Sequence, residues 1–145
     1  MKFFNEHLCI ASDHAGYKLK EDVKNYLISK NVSIIDLGPF SDGSVDYPVF
    51  AKKVSNRLRS KRSDKGILIC GSGTGMAISA NKTKGIRAAV CYNIKSTKLS
   101  RQHNNANVIC IGARFTNKSI ALKLVATFLK TKFEGGRHLR RVKKI

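Results

Sequence analysis

Five short apolar runs, each separated from the next by a stretch of helical periodicity, constrain this chain more than any other feature. The runs are Leu8–Ser12, residues 32–37, 66–70, 86–91 and 107–111. Residues 66–70 are apolar throughout, as a strand buried on both faces must be. Between the runs, apolar residues recur every three or four positions. Leu19, Val23, Tyr26 and Leu27 mark a helix over residues 15–30, and Phe50, Val54 and Leu58 continue one that opens near Pro48. A glycine-rich turn at 71–75 precedes a short helix to about residue 82, and residues 95–104 read as a polar helix. Ala121, Leu124, Val125, Phe128 and Leu129 then give one face of a long helix. Fivefold strand–helix alternation requires a parallel sheet covered on both faces. The expected architecture is a three-layer α/β/α sandwich with a five-stranded parallel Rossmann-like sheet.

The 145 residues suit one domain, and no internal repeat, linker or low-complexity segment divides them. The reading is a single domain over 1–145 with a basic tail from about residue 132 that wraps the surface. None of Cys9, Cys70, Cys91 and Cys110 falls in a Cys-x-x-Cys pair, so zinc-ribbon spacing is absent. Cys9, Cys91 and Cys110 sit within apolar runs and read as strand-core packing. This usage points to the cytoplasm. No run reaches the roughly 18–20 apolar residues of a membrane helix, and no apolar run after Met1-Lys2 suggests a leader. The balance of 28 Lys+Arg against 9 Asp+Glu gives a formal charge of +19. Such a charge fits nucleic acid, an anionic small molecule, or merely a cationic surface.

In open parallel sheets, ligands bind beyond the carboxyl ends of the strands. Ser12-Asp13-His14 follow the first run, and Asp46 and Tyr47 follow the second. Cys70 and the loop Gly71-Ser72-Gly73-Thr74-Gly75 follow the third, and Arg114 follows the fifth. Three glycines in five residues let backbone N–H groups converge on one anion. The loop is no dinucleotide fingerprint, because Met76 stands where the third glycine belongs, and no Gly-Lys-Ser/Thr of a P-loop is present. An arginine-closed phosphatase loop is excluded by the same Met76. What remains is a thiol beside a ring of amides, suited to act as base or nucleophile while the amides hold an oxyanion. Two further polar clusters, residues 101–105 and 135–141, carry His103, Asn104, Arg137, His138 and Arg141. Arginine forks match phosphate oxygens.

Eight colinear motifs carry a resemblance. They are Ser12-Asp13-His14-Ala15-Gly16, Asp46-Tyr47-Pro48, Ile69-Cys70-Gly71-Ser72-Gly73-Thr74-Gly75, Ala80-Asn81-Lys82, Gly85-Ile86-Arg87-Ala88, Ser100-Arg101-Gln102-His103-Asn104, Ala106-Asn107-Val108 and Glu134-Gly135-Gly136-Arg137-His138. Over residues 8–142 the chain resembles the ribose-5-phosphate isomerase B family, whose wider group also contains galactose-6-phosphate isomerase. The resemblance implies a cofactor-free, metal-independent aldose–ketose isomerase of the pentose phosphate pathway. Ribose 5-phosphate and ribulose 5-phosphate would interconvert through an enediolate. It makes Cys70 the base that moves a proton between C1 and C2. Some family members carry glutamate at the position of Met76, which cannot take a proton. Ser72 would orient or relay that proton. The amides of Gly71, Ser72, Gly73, Thr74 and Gly75, with Asn104, would hold the enediolate oxygens. His103, oriented by Asp13, would open the furanose ring. His14, Arg137 and Arg141 would clamp the 5-phosphate, with His138 nearby, and Arg114 and Tyr47 would line the sugar site.

Strands run toward the glycine-loop edge, whereas His103-Asn104 and residues 137–141 sit at helix ends. One chain alone is therefore expected to keep them apart, and an isologous homodimer to share its sites between subunits. Within the class, the rival substrate is a six-carbon aldose phosphate such as allose or galactose 6-phosphate. From another class, the rival is a basic nucleic-acid-binding module. Residues 52–65 hold seven Lys/Arg against one Asp. That rival is disfavoured, since no nucleic-acid motif appears and aromatics do not interleave with the charges.

Overall fold

The computed structural model describes residues 6–145. The residues bearing on a leader sequence lie outside this range. Strands β1 (Leu8–Ser12), β2 (Ile34–Asp36), β3 (Lys65–Cys70), β4 (Ala88–Val90) and β5 (Val108–Gly112) form one parallel sheet in the order β2-β1-β3-β5-β4. In register, Ser12 pairs with Ile69 and Cys70 with Gly112, so three strands end at one level. The chain order reverses between β1 and β3, which opens a crevice at their carboxyl ends.

Helices α1 (Tyr17–Ser29), α2 (Tyr47–Arg59), α3 (Thr74–Ala80), α4 (Ile94–Gln102), α5 (Lys118–Lys130) and α6 (Arg137–Val142) complete the chain. Alternating sheet residues feed two cores. Leu8, Ile10, Ile67, Ile69, Ile109 and Ile111 pack under α1 and α5. Cys9, Ala11, Leu68, Cys70, Val108 and Cys110 pack under α2 and α3. This is the expected three-layer sandwich. Gly66 lets α2 lie directly on β3, since a Cβ there would come within 2.5 Å of Val54 Cγ1.

All four cysteines are buried and free. Burial pushes the Cys9 thiol up to about 11 and Cys110 well above its ordinary range. A buried charge cluster fastens the far side of the sheet. Lys20, fully buried on α1, donates to both oxygens of Asp36 at 2.8 and 2.7 Å. Asp36 also accepts from Lys24 Nζ and from the Gly38 amide. Among the described residues no helix is long and apolar enough to cross a membrane.

Three boundaries differ from the periodicity. The second and fourth strands are ladders of three residues each, flanked by extended chain. They are the edges of the sheet, where only one neighbour supplies hydrogen bonds. The basic tail is not a loose wrap, for it contains α6, anchored by the buried His138.

Candidate active site

The first cluster grows from the ends of β1 and β3. Asp13 Oδ1 accepts the Gly16 amide at 2.9 Å and closes the turn into α1. Gly16 is required there, because a Cβ would lie 2.4 Å from the Ile69 carbonyl oxygen. His14 projects beyond this turn, and its Nδ1 accepts the Val45 amide at 3.2 Å. With Nδ1 accepting, Nε2 carries the ring proton and is the nitrogen free to donate.

At the end of β3 the loop folds back on its own cysteine. The Gly73 amide donates to Cys70 Sγ at 3.1 Å. Gly73 adopts φ 79°, a left-handed conformation that glycine takes without steric cost. The Thr74 amide donates to Ser72 Oγ at 3.2 Å. Tyr47, the first residue of α2, lays its ring against Gly75, where a Cβ would meet ring carbons at 2.8 Å. Arg114 sets its guanidinium over Gly71, 3.1 Å from an imagined Cβ. Asp13, His14, Tyr47, Cys70, Gly71, Ser72, Thr74, Gly75 and Arg114 line one cleft of about 450 Å³. Gly73 lies beneath it, against the β5 backbone. Met76 is fully buried, in the same core cluster as Cys70.

The second cluster is separate. His103, Asn104, His138 and Arg141 line another hollow of about 400 Å³ at the end of α4 and on α6. His103 and His138 stack with ring centroids 4.1 Å apart and planes 10° from parallel. Glu134 Oε2 stands 3.9 Å from His103 Nε2 and 3.5 Å from His138 Nε2. Desolvation, with the nearby His103 and Arg137 charges, lowers the His138 pKa from its ordinary value. Arg137 opens α6 and is exposed, as is Arg141. Arg101 ties this region down by donating to the carbonyls of Thr131 and Ala106 and to Asn105 Oδ1.

The family model for Ribose/Galactose Isomerase matches residues 8–145. The chain belongs to this family. It is 41% identical over 138 residues to ribose-5-phosphate isomerase B of Escherichia coli strain K12, which covers 95% of this chain and 93% of that protein. Among solved structures, it resembles a ribose 5-phosphate isomerase from Thermotoga maritima at 48% identity and TM-score 0.95, covering 97% of each chain. A Mycoplasma genitalium ribose-5-phosphate isomerase B with bound ribulose-5-phosphate is 45% identical at TM-score 0.92, covering 97% of this chain and 94% of that one.

Against the expectations for a member of this isomerase family, the placements divide cleanly. The structure unites Asp13, His14, Tyr47, the Cys70 loop and Arg114, leaves the buried Ser12 and the α2 N-cap Asp46 out of that lining, and keeps His103, Asn104, His138 and Arg141 in another hollow. The carboxylate beside His103 within the chain is Glu134, and Asp13 belongs to the other cleft. Two neighbours of the loop escaped the sequence reading. The Tyr92 hydroxyl donates to the Ser72 carbonyl at 3.4 Å, and the Tyr92 ring meets Phe115 edge-on at 6.2 Å. Both aromatics are exposed, and a lone exposed aromatic between a strand and the next helix has no periodic signature.

Proposed function

We propose that this chain interconverts ribose 5-phosphate and ribulose 5-phosphate, as its relatives' names describe, through an enediolate and with Cys70 as the base. The observation that carries this reading is the Cys70 sulfur, capped by the Gly73 amide and set in the floor of a cleft of donors. In the open-chain aldose the thiolate removes the proton from C2 and returns it to C1, while the hydroxyl proton passes from O2 to O1; the reverse reaction retraces both transfers. Ser72, which lines the same cleft, supplies the hydroxyl that orients or relays the proton moved between C1 and C2. The amides of the 71–75 loop stabilise the oxyanion as it develops, with Asn104 contributing from the second cluster. His14 Nε2 donates to the phosphate from one side, and Arg137 and Arg141 grip it from the other. Tyr47 and Arg114 wall the sugar, and His103 transfers the proton that opens the furanose ring. Fixing the phosphate holds the reacting carbons against the sulfur.

Two half-sites on one chain support a homodimer in which each cleft is completed by the second cluster of another copy. The half-buried β4 edge and the exposed Ile78, Tyr92, Ile94 and Leu99 around it offer an apolar surface for that contact. In that arrangement Asp13 of one copy meets His103 of another. The setting is the cytoplasm and the pentose phosphate pathway. The test is ribulose 5-phosphate formation from ribose 5-phosphate, with and without chelator, beside allose and galactose 6-phosphate. Turnover of the five-carbon substrate, unchanged by chelator, is expected. Faster kcat/KM on a six-carbon substrate would reassign it, and no turnover would overturn the reading.

A further inference from the structure

The donor set of the second cluster also fits something other than a sugar. The imidazole nitrogens of His103 and His138 and a Glu134 carboxylate oxygen all lie within 4.8 Å of one another. Tetrahedral zinc with bonds of about 2.0–2.2 Å needs ligand atoms about 3.3–3.6 Å apart. The Glu134–His138 separation of 3.5 Å already meets this, and Glu134–His103 at 3.9 Å nearly does. The segments bearing the ligands are fastened together, because the Glu134 amide donates to the Gln102 carbonyl at 3.1 Å, one residue before His103. His138 is held in place by burial, whereas the His103 side chain is 39% exposed and can turn. Turning is required. An ion lies in the plane of each imidazole it binds, and these two planes are stacked.

We infer that His103, Glu134 and His138 form a binding site for a borderline divalent transition-metal ion, zinc above all, and that its occupancy inhibits the isomerase. Two imidazoles and one carboxylate, with the remaining positions open to the hollow, suit zinc and its neighbours in the first transition row. Magnesium and calcium are excluded by their demand for several oxygen ligands, since the cluster offers one carboxylate beside two imidazoles, with Arg137 and Arg141 close to His138. Those two cations also weaken the site and limit it to reversible occupancy. Inhibition rests on the proposed role of His103, because metal coordination removes the lone pair that would accept a proton. Binding rests on no such role.

The test uses the full chain. Cobalt(II) is added as a spectroscopic probe, zinc binding is followed by calorimetry, and turnover is assayed with zinc or magnesium. Visible cobalt bands, micromolar zinc binding and zinc inhibition reversed by chelator are expected, with magnesium inert. Glu134→Gln and His138→Asn should each weaken zinc binding by about tenfold or more. Cys70→Ala should bind zinc unchanged. Absence of cobalt bands and of zinc binding would overturn the site. So would zinc binding that Cys70→Ala abolishes, or that survives both Glu134→Gln and His138→Asn. Zinc binding with unchanged turnover would overturn the inhibition, and with it the role of His103 in the reaction, while leaving the metal site.

Discussion

The two clusters are built by opposite means. The Cys70 loop is determined by backbone: strand ends in register, amides turned onto a sulfur, and glycines pressed against Tyr47, Arg114 and the sheet. The His103 cluster is determined by side chains at helix ends, one ring stacked on another with exposed arginines beside them. A backbone-built site keeps its shape in one chain. A side-chain-built site at a helix end can reorient, which suits the phosphate-gripping role proposed for it. The chain thus carries a rigid half and an adjustable half.

The largest effect should come from the rigid half. Cys70→Ala should lower kcat by about 10²–10⁴-fold, while calorimetry finds phosphate affinity unchanged. Near-normal turnover would end the comparison, since the loop would then lack its chemistry. Next comes the relation between the halves. Cys70→Ala and His103→Ala chains, each inactive alone, should recover about a quarter of wild-type activity after random exchange of dimer subunits. No recovery despite exchange verified by mass spectrometry would mean that each chain completes its own site. Substituting Arg141 by alanine should chiefly raise KM, by about tenfold, and leave kcat on saturating substrate near normal. A fall in kcat alone would move Arg141 from phosphate grip to reaction centre.

A smaller effect tests the support beneath the rigid half. Burial alone would raise the Asp36 pKa, but hydrogen bonds from Lys20, Lys24 and the Gly38 amide outweigh it and hold the carboxyl below its usual range. Its stabilisation is therefore full above the unfolded carboxylate pKa of about 3.9 and is lost as pH falls through the lower folded value. Acid unfolding followed by circular dichroism should show that loss. Asp36→Asn should lower stability by about 3 kcal/mol at neutral pH and flatten the acid limb. An unchanged acid limb would detach Asp36 from the pH response.

What could be read from sequence follows the same division. The strand-end cluster was legible because period-two and period-3.6 patterns place strand ends, and strand ends of a parallel sheet converge. Thus Asp13, Cys70 and Arg114 could be grouped without knowing any distance. The pairing of His103 with His138 was not legible, for it depends on how α4 and α6 cross, and α6 itself carries too little apolar pattern to announce a helix. Only His138 of its residues is buried. Lys20 misleads in the same way, since a lysine on a helix reads as solvent-facing until its partner Asp36 is placed. Three arginines of the proposed site explain little of the +19 charge. The remainder is spread over a surface where acidic partners are few.

Gly75 has no unusual backbone conformation; only the Tyr47 ring forbids a side chain there. The restriction therefore belongs to a pair of positions and not to either one. A smaller residue at 47 would open room for alanine at 75, whereas alanine arriving first must displace the ring. Sequence drift across this part of the cleft has a preferred order, and the aromatic position has to move before the glycine can.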